Sequence, residues 1–557
     1  MHLLAIHEDT NSSLALLEDS RVLFAAAEER FTRNKFQHGM PERCLSYVRE
    51  AHGKDLRNAD VLVAGNPTHF LARLPGFLPE EEHDLFGPMQ KAYLSFQDLL
   101  PASPVLRTAS TTLSAAALRL KIGRKVHFVD HHTAHGYSAY MTAGFPECVT
   151  VSADNMGDGF AAKVFDCSDG TCRELYGSSA VKSPGQFYGE ITQLLGFHVL
   201  MAGKVTGLAA YSDWRPAYPL VSRLFSLSRD GRDFDVAPLW PRSRSRGIFA
   251  DLSRFSPGEI SAATQRRFED VMVGYVKAAV AATGRRKVAL AGGIFANVKL
   301  NQRIMELPEV DEVFIHPAMS DQGIAMGAAL HYLAHNQGLK PYSIDHVYFG
   351  PSYGEEEIGS ALEANKLVYT RPADMEAVVA KALVESKVVA RFFGAMEYGP
   401  RALGHRTVMY RPDDWNVNIW LNRNLKRSEF MPFAPVTLAE HAAECYINID
   451  KAAHAARYMT MCFDCTEPMA RTCSGVVHVD GTARPQVIDR ETDPAYHRIV
   501  ELFYKETGIP SVINTSFNMH GEPIVCTPED AIEAFLDSKM DYLAIGPFLV
   551  ERQKANS

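Results

Sequence analysis

Residues 125–143 read KVHFVDHHTAHGYSAYMTA, and this stretch predicts a strand followed at once by a helix. Three histidines, His131, His132 and His135, lie where the strand ends and the helix begins. On a helix, His131 and His135 share a face because they are four residues apart, so they can bind one metal ion. Asp130 is placed to cap the start of the helix. The alternative is a cluster of structural histidines that only form hydrogen bonds.

Two aspartates favour the metal site over that alternative. Asp154 follows the apolar strand CVTVSA (148–153), and Asp321 follows EVFIH (312–316). The carboxyl ends of strands are where α/β proteins place ligand-binding groups. Either aspartate alone is more often a turn or cap residue. Two histidines and two aspartates together suit a divalent first-row metal such as iron or manganese.

Composition predicts an ordinary globular protein of at least two domains. The chain has 557 residues, with 46% hydrophobic and 22% charged residues. It contains no transmembrane-length apolar run, and its first residues do not resemble a signal peptide. The nine scattered cysteines suit a reducing compartment better than a disulfide framework, so we expect a cytoplasmic protein. A net charge of −9 argues against a nucleic-acid partner.

Three glycine-containing turns indicate a nucleotide site. They are ADNMGDG (153–159), GKVTGLAA (203–210) and AGGIFANVKLN (291–301). Glycine lets the backbone approach a phosphate or a ribose closely, and Lys204 offers a positive charge. Each turn alone is a weak signal, because such turns are common. Together with the four metal-binding candidates they favour a bound nucleotide.

The C-terminal half carries a second set of polar segments, at 398–406, 425–435, 478–486 and 513–523. They contain cationic side chains suited to anions: Arg401, Arg406, Lys426, Arg427 and Arg484. Asn514, Ser516 and Asn518 alternate along a predicted strand end, so we expect them on one face, at a phosphate or ATP site. The alternative is a surface of scattered ion pairs. The pattern breaks at 340–352, where we place a domain boundary.

Eight motifs along the chain resemble those of the O-carbamoyltransferase family, which includes the tobramycin, cephamycin and nodulation carbamoyltransferases. They are EERFTRNK, HHTAHGYSAY, GKVTGLAAY, AGGIFANVKLN, SDQGIAMGAA, GPRALGHR, FMPFAP and NTSFNMHGEPIV. The resemblance implies an α/β chain in two domains. Residues 1–345 would form an actin-like ATPase domain of the Kae1 branch, with the metal and nucleotide site. Residues 346–557 would form a YrdC-like domain.

The resemblance also implies an ATP-dependent O-carbamoyltransferase. In the family, the YrdC-like domain makes carbamoyladenylate from carbamoyl phosphate and ATP, and a hydroxyl of the acceptor then attacks the carbamoyl carbon as AMP leaves. A bound iron, Fe²⁺ or another divalent metal, holds the nucleotide phosphate, and Mg²⁺ is a further candidate cofactor. We expect a small-molecule acceptor, such as an antibiotic or its sugar, contacted by segments 66–110 and 213–265. The chain is expected to be a monomer or a homodimer.

The resemblance assigns roles to individual residues. His131, His135, Asp154 and Asp321 match the metal ligands. Gly292, Gly293 and Asn297 match the nucleoside-binding turn, with Lys204 and Gly207 nearby. Arg401, Lys426, Arg484, Asn514 and Ser516 match the groups that bind carbamoyl phosphate and ATP.

Two departures from the family pattern affect these assignments. The first-strand turn of the family often reads His-Asp-x-Ser, and its histidine is a candidate base for the acceptor hydroxyl. Here Thr10 stands at that position, followed by Asn11, so His7 and Thr10 both remain candidates. Many members also have an arginine where this chain has Met431, and we hypothesise that Arg427 supplies the missing charge.

Three other functions are open at this stage. A threonylcarbamoyl-transfer enzyme that modifies tRNA uses the same two fold types, but the acidic net charge disfavours it. A sugar kinase of the actin-like superfamily needs neither two histidines at a metal nor a second anion-rich domain. A nucleotide-sensing regulator is a non-enzymatic alternative.

Overall fold

The computed structural model describes residues 1–65, 103–237, 245–424 and 433–553. The chain divides into two compact units, residues 1–28 with 36–344 and residues 29–35 with 345–557. This division lies beside the expected boundary after residue 345, and it assigns the short segment 29–35 to the second unit. None of the described helices has the length and apolar character needed to cross a membrane.

The first unit contains twelve described strands and nine described helices longer than one turn. Its strands are β1 (His2–His7), β2 (Ser13–Glu18), β3 (Arg21–Ala27), β4 (Val61–Ala64), β5 (His127–Phe128), β6 (Glu147–Gly157), β7 (Phe160–Ser168), β8 (Thr171–Ser179), β9 (Phe225–Leu227), β10 (Phe234–Val236), β11 (Lys287–Ala291) and β12 (Glu312–Ile315). Its helices are α1 (Glu42–His52), α2 (Pro104–Ile122), α3 (His131–Thr142), α4 (Pro184–Leu194), α5 (Ala202–Ala209), α6 (Ser245–Leu252), α7 (Pro257–Thr283), α8 (Val298–Met305) and α9 (Ile324–Gln337).

Two five-stranded sheets of the first unit share one topology. The first has the order β3-β2-β1-β4-β5, and the second has the order β8-β7-β6-β11-β12. In each sheet the first three strands form an antiparallel meander, and the last two run parallel to the central strand. The central strands β1 and β6 are apolar and mostly buried, as expected for strands covered on both faces. This duplicated arrangement is the actin-like fold that was predicted.

Helices α3 and α9 pack against each other at backbone contact. A Cβ atom at Gly327 on α9 would lie 1.9 Å from the carbonyl oxygen of Ala134 on α3, so only glycine permits this crossing. Helix α3 also packs on β6, and α9 packs on β1. The helix with the histidines is therefore fixed between the two sheets.

Three details of the first unit differ from expectation. The predicted strand KVHFVD is reduced to residues 127–128. Segment 213–265 is not irregular throughout, because it contains β9, β10, α6 and the first turns of α7, which begins at a capping box on Ser256. Cys167 and Cys172 form a disulfide across the β7–β8 hairpin, although the scattered cysteines suggested reduced thiols.

The second unit is an α/β unit with an eight-stranded mixed sheet, in agreement with the predicted fold class. The strand order is β13-β22-β21-β14-β15-β20-β16-β19, and β17 pairs with β18 separately. The strands are β13 (Tyr369–Thr370), β14 (Val389–Phe392), β15 (Arg406–Tyr410), β16 (Ala434–Leu438), β17 (Phe463–Asp464), β18 (Thr482–Ala483), β19 (Gln486–Ile488), β20 (Ser511–Ser516), β21 (Tyr542–Ile545) and β22 (Phe548–Glu551). The longer helices are α10 (Glu355–Ala364), α11 (Met375–Val384), α12 (Val417–Asn424), α13 (Glu467–Thr472), α14 (Pro494–Thr507) and α15 (Pro528–Asp537).

Segment 29–35 is part of this second unit although it precedes nearly all of the first. Its one-turn helix Glu29–Thr32 is anchored by two arginines. Arg30 is buried and donates to the carbonyl oxygen of Gly399 at 2.7 Å. Arg33 donates to the carbonyl oxygens of Ile524 and Pro523 at 2.6 and 2.8 Å. The second unit is therefore built from two separate stretches of chain.

Candidate functional site

The four predicted metal ligands converge in the first unit. The Nε2 atom of His135 lies 3.3 Å from Asp154 Oδ2 and 3.4 Å from Asp321 Oδ1, and His131 Nε2 lies 3.8 Å from the same Asp321 oxygen. One ligand atom from each of the four residues falls within 4.8 Å of the others. Two ligands of one first-row ion, each about 2.1 Å from it, stand about 3–3.5 Å apart. The spacing therefore fits a shared ion, and no other such group of three or more occurs among the described residues.

Local structure fixes both histidines. Asp130 is the N-cap of α3 and accepts from the Thr133 N–H at 3.0 Å, while Lys163 pairs with its carboxylate at 3.1 Å. His132 faces away from the cluster, with Nδ1 at 2.7 Å from Ser152 Oγ and Nε2 at 3.0 Å from the Phe160 carbonyl oxygen. Burial lowers the pKa of His132 to about 4. His132 is therefore a neutral structural residue, whereas its two neighbours on the helix face the aspartates.

Electrostatics at the four residues favour a cation. Burial lowers the pKa of His135, but Asp154 and Asp321 outweigh it and raise that pKa to about 9. Burial and then the Asp154 charge raise the pKa of Asp321, whereas His135 and two backbone N–H groups lower that of Asp154 against the effect of burial. Two buried carboxylates at this distance repel each other unless a positive charge lies between them. A divalent cation would supply that charge in place of the His135 proton.

Glycines make room for the ligands and orient one of them. A Cβ atom at Gly157 would lie 2.1 to 2.4 Å from the ring of His131. Gly292 has a φ of 105°, and a Cβ atom there would lie 2.0 Å from the Ala153 carbonyl oxygen. The following Gly293 N–H donates to Asp154 Oδ2 at 2.8 Å. The predicted nucleoside turn thus directly holds a predicted metal ligand.

A chain of hydrogen bonds connects Asn297 with helix α5, which carries Lys204 and Gly207. Asn297 caps α8 and exchanges hydrogen bonds with Gln265 at 2.9 and 3.1 Å. Tyr188 bonds both Gln265 and Thr206 at 2.8 Å, and Thr206 lies on α5 beside the buried Gly207. Lys204, on the same helix, is half-buried, with its ammonium 5.7 Å from the centre of the Phe197 ring. The Asn297 amide serves the fold, because it caps a helix and anchors this network.

The two candidate bases lie at the end of β1. His7 is fully buried, and its Nε2 lies 3.2 Å from the Thr10 carbonyl oxygen. The Thr10 hydroxyl lies 3.2 Å from Nδ1 of the exposed His38 and 3.5 Å from Asp9 Oδ1. Asp9 adds to the negative potential that raises the pKa of Asp321. Sequence reasoning missed both Asp9 and His38, because they lie in loops without a recognisable spacing.

The second unit brings together Arg401 and Arg484. Burial, and then the charge of Arg484, lower the pKa of Arg401 well below its usual value, and burial also lowers the pKa of Arg484. Cys462 is the acidic group near both, and no carboxylate of the described residues contributes to either shift. Arg401 Nε also has no hydrogen-bond partner within the described part of the chain. Two buried guanidinium groups that influence each other electrostatically, with no carboxylate contributing, are suited to an anion.

The other predicted groups of the second unit have structural contacts. Asn514 donates to the Ala402 carbonyl oxygen at 3.0 Å and to Gln486 at 2.6 Å, and its oxygen accepts from Thr407. Ser516 donates to Asn518 Oδ1 at 2.6 Å, and Asn518 lies beyond the end of β20, in a turn. Asn514 therefore supports the loop that carries Arg401. Lys426, Arg427 and Met431 lie outside the described residues.

Arg406 is a structural residue rather than one of the anion-binding donors expected from sequence. Its guanidinium is fully buried, donates to the Phe393 carbonyl oxygen at 2.6 Å and lies 3.6 Å from the centre of the Phe392 ring. The buried Glu397, missed from sequence, accepts from the N–H groups of Leu403, His405 and Arg406 at 2.8 to 3.0 Å. These contacts fix the segment that follows Arg401.

Comparison with known proteins identifies the family of this chain. A model of the carbamoyltransferase N-terminus matches residues 2–237 and 241–330, and one of the carbamoyltransferase C-terminus matches residues 380–552. The nodulation protein NolNO of Sinorhizobium fredii is 28% identical over 98% of this chain and 79% of its own length. The nodulation protein NolO of Bradyrhizobium diazoefficiens is 32% identical over 77% of this chain and 80% of its own, and a protein of Methanocaldococcus jannaschii is 29% identical over 99% and 100%. This chain belongs to the carbamoyltransferase family.

Proposed function

We propose that this protein is an ATP-dependent O-carbamoyltransferase. Its second unit would make carbamoyladenylate from carbamoyl phosphate and ATP, and its first unit would transfer the carbamoyl group to a hydroxyl of a small-molecule natural product. The observation that carries the proposal is the presence, in one carbamoyltransferase chain, of two sites of opposite charge. One is the His/Asp cluster at 131, 135, 154 and 321, and the other is the Arg401–Arg484 pair.

The arginine pair supports the formation of the adenylate. Carbamoyl phosphate and the ATP phosphates are anions, and a guanidinium binds phosphate oxygens in a bidentate manner. Burial, and then the charge of Arg484, lower the pKa of Arg401, and a bound phosphate would offset both effects. Asn514 and Gln486 hold the adjoining loop, so the donors are oriented before the ligand binds.

The His/Asp cluster supports the transfer step. A divalent cation bound by His131, His135, Asp154 and Asp321, which we propose to be Fe²⁺, would supply positive charge to the phosphate of the departing AMP. Gly293 orients one carboxylate through its N–H, and Gly157 gives the His131 ring its space. The nearby turn 292–297 and helix α5, with Lys204, would bind the nucleoside and a phosphate.

The family membership favours carbamoyl transfer over the kinase and sensor alternatives, and the net charge of −9 disfavours a tRNA substrate. An antibiotic or its sugar is the proposed acceptor class, by analogy with the family members that the motifs resemble. Part of the segment expected to contact it, residues 66–102, lies outside the described residues.

The decisive experiment measures pyrophosphate release from ATP in the absence of any acceptor. We expect release that requires carbamoyl phosphate and that falls at least tenfold in Arg484→Ala, since a charged hydrogen bond contributes about 1.5–3 kcal/mol. Arg498→Ala is the matched control, because Arg498 is an exposed residue of the same unit that pairs with Asp374 at 2.6 Å. Pyrophosphate release that is independent of carbamoyl phosphate would contradict the proposal.

A further inference from the structure

The loop that follows the EERFTRNK motif places an imidazole beside the turn after β1. The Ser12 N–H donates to the Gln37 carbonyl oxygen at 2.9 Å, and the Gly39 N–H donates to the Glu8 carbonyl oxygen at 3.0 Å. These two backbone bonds fix the 36–39 loop against residues 8–12. His38 lies between them and is exposed, so its ring is accessible to a ligand.

This loop has an unusual backbone for its sequence. Phe36 has a φ of 59°, a left-handed conformation that a bulky residue seldom adopts. Asn11, in the facing turn, has a φ of 60°. Strained residues of this kind persist where the surrounding structure requires them, and they concentrate at functional sites. The strained backbone of this loop therefore favours a functional role for the residues it positions.

Three side chains form a connected row at this position. His38 Nδ1 lies 3.2 Å from the Thr10 hydroxyl, and that hydroxyl lies 3.5 Å from Asp9 Oδ1, near the upper limit for a hydrogen bond. When the Thr10 hydroxyl donates its hydrogen bond to Asp9, the Thr10 oxygen is left to accept a hydrogen bond from the Nδ1–H group of His38. The carboxylate thereby selects the tautomer of His38 in which Nε2 is unprotonated.

The row ends beside the His/Asp cluster of the first unit. Strand β2, which begins at Ser13, packs against residues 321–323, so the turn between β1 and β2 lies near Asp321, and Asp9 contributes to the negative potential there. His7, the other imidazole of this turn, is fully buried and its Nε2 faces the Thr10 carbonyl. Of the two histidines, only His38 combines exposure with an orienting partner.

We propose that His38 is the general base that removes the proton from the acceptor hydroxyl, oriented by Thr10 and Asp9. This inference rests on the proposed function. In the step, the acceptor O–H bond breaks and its proton passes to His38 Nε2. The oxygen forms a bond with the carbamoyl carbon, and the anhydride C–O bond breaks, leaving its electron pair on the phosphate oxygen of AMP.

The test compares two nucleophiles with full-length, metal-loaded protein supplied with ATP and carbamoyl phosphate. Molar glycerol is the hydroxyl probe, which needs a base. Hydroxylamine is the second probe, because its nitrogen attacks without prior loss of a proton. In His38→Ala and His38→Asn we expect carbamoyl transfer to glycerol to fall about 100-fold or more, the contribution typical of a general base. Transfer to hydroxylamine should stay within about twofold, and added imidazole should restore part of the glycerol rate.

Controls separate this inference from the proposed function. His335→Asn removes an exposed histidine of α9 and should change neither rate. Thr10→Val should lower the glycerol rate less than His38→Ala does, since it removes only the orienting contact. If both His38 variants transfer to glycerol at the wild-type rate, or if wild-type protein uses hydroxylamine but not glycerol, His38 is not the base. If wild-type protein releases no pyrophosphate, the proposed function itself fails, and this inference fails with it.

Discussion

At the scale of single residues, the geometry of the His/Asp cluster depends on neighbouring glycines as well as on the histidines and aspartates themselves. Gly157 faces the ring of His131, Gly292 allows the turn after β11, and Gly293 donates to Asp154. None of these glycines is a ligand. Each permits a close approach that a Cβ atom would hinder, so the positions of His131 and Asp154 depend on neighbours without a side chain.

We predict that Gly157→Ala weakens metal binding without removing any ligand. The new methyl group would overlap the His131 ring and displace it, and such a change next to a ligand typically costs 10–100-fold in metal affinity. Calorimetric titration with Fe²⁺ or Mn²⁺ measures the loss of metal affinity. Gly203→Ala is the control, because a Cβ atom at that helical position has no neighbour within 4 Å. Equal metal affinity in the two variants would contradict this role for Gly157.

At the scale of elements, the one-turn helix Glu29–Thr32 cannot persist alone, because an isolated helical turn does not repay its cost of nucleation. It is held by Arg30 and Arg33, whose guanidinium groups satisfy backbone carbonyl oxygens of residues 399, 523 and 524. Gly399 lies two residues before Arg401. The segment therefore supports the loop that carries Arg401, a link between distant motifs that the sequence order conceals.

We predict that Arg30→Ala lowers the free energy of unfolding by about 2–3 kcal/mol, since it removes a buried charged hydrogen bond and leaves the Gly399 carbonyl unsatisfied. Guanidinium titration of the full chain measures the change. Arg43→Ala should lie within about 0.5 kcal/mol of wild type, because Arg43 is exposed. The Arg30→Ala variant should also bind carbamoyl phosphate more weakly than wild type, whereas Arg43→Ala should not. A stability as unaffected as that of the control would show that segment 29–35 contributes nothing to the second unit.

At the scale of the whole molecule, the two compact units carry separate clusters of charged residues. The His/Asp cluster belongs to the first unit, and the arginine pair belongs to the second. Removing one site leaves the residues of the other unchanged. The proposed formation of the adenylate and its use are therefore expected to be separable by mutation within one chain.

We predict that two single variants each lose one of the two proposed activities and retain the other. Asp321→Asn should retain pyrophosphate release and lose carbamoyl transfer by at least about 100-fold, because it removes a carboxylate that we propose to bind the metal. Arg484→Gln should lose pyrophosphate release but still transfer the carbamoyl group of added carbamoyladenylate. Quenched-flow measurements of pyrophosphate, AMP and carbamoylated hydroxylamine test both statements. Loss of both activities in each variant would mean that the sites do not act independently.

The long apolar strands and their following polar residues were predictable because both signals are local. The runs at 148–153 and 312–316 form strands, each with its aspartate just beyond the apolar run, and the helix at 131–142 begins at its aspartate cap. Short elements were not predictable, since tertiary pairing decides their length. The apolar stretch YMTMCFDC (458–465), for example, contributes only residues 463–464 to a strand, which pairs with residues 482–483.

The sequence by itself determined the α/β class, the two-part organisation and the four candidate residues of the His/Asp cluster, because chain order, apolar runs and i,i+4 spacing are properties of neighbouring residues. Only the tertiary structure decided which polar groups are available to a ligand. Arg401 and Arg406 lie in one motif, yet Arg406 donates to backbone carbonyl oxygens, whereas Arg401 Nε has no hydrogen-bond partner among the described residues. His7 and His38 also differ in accessibility. His7 is buried at the end of β1, whereas His38 is exposed and contacts Thr10, which lies 28 residues earlier in the sequence. Burial and hydrogen-bond satisfaction arise from long-range packing, which local pattern does not encode.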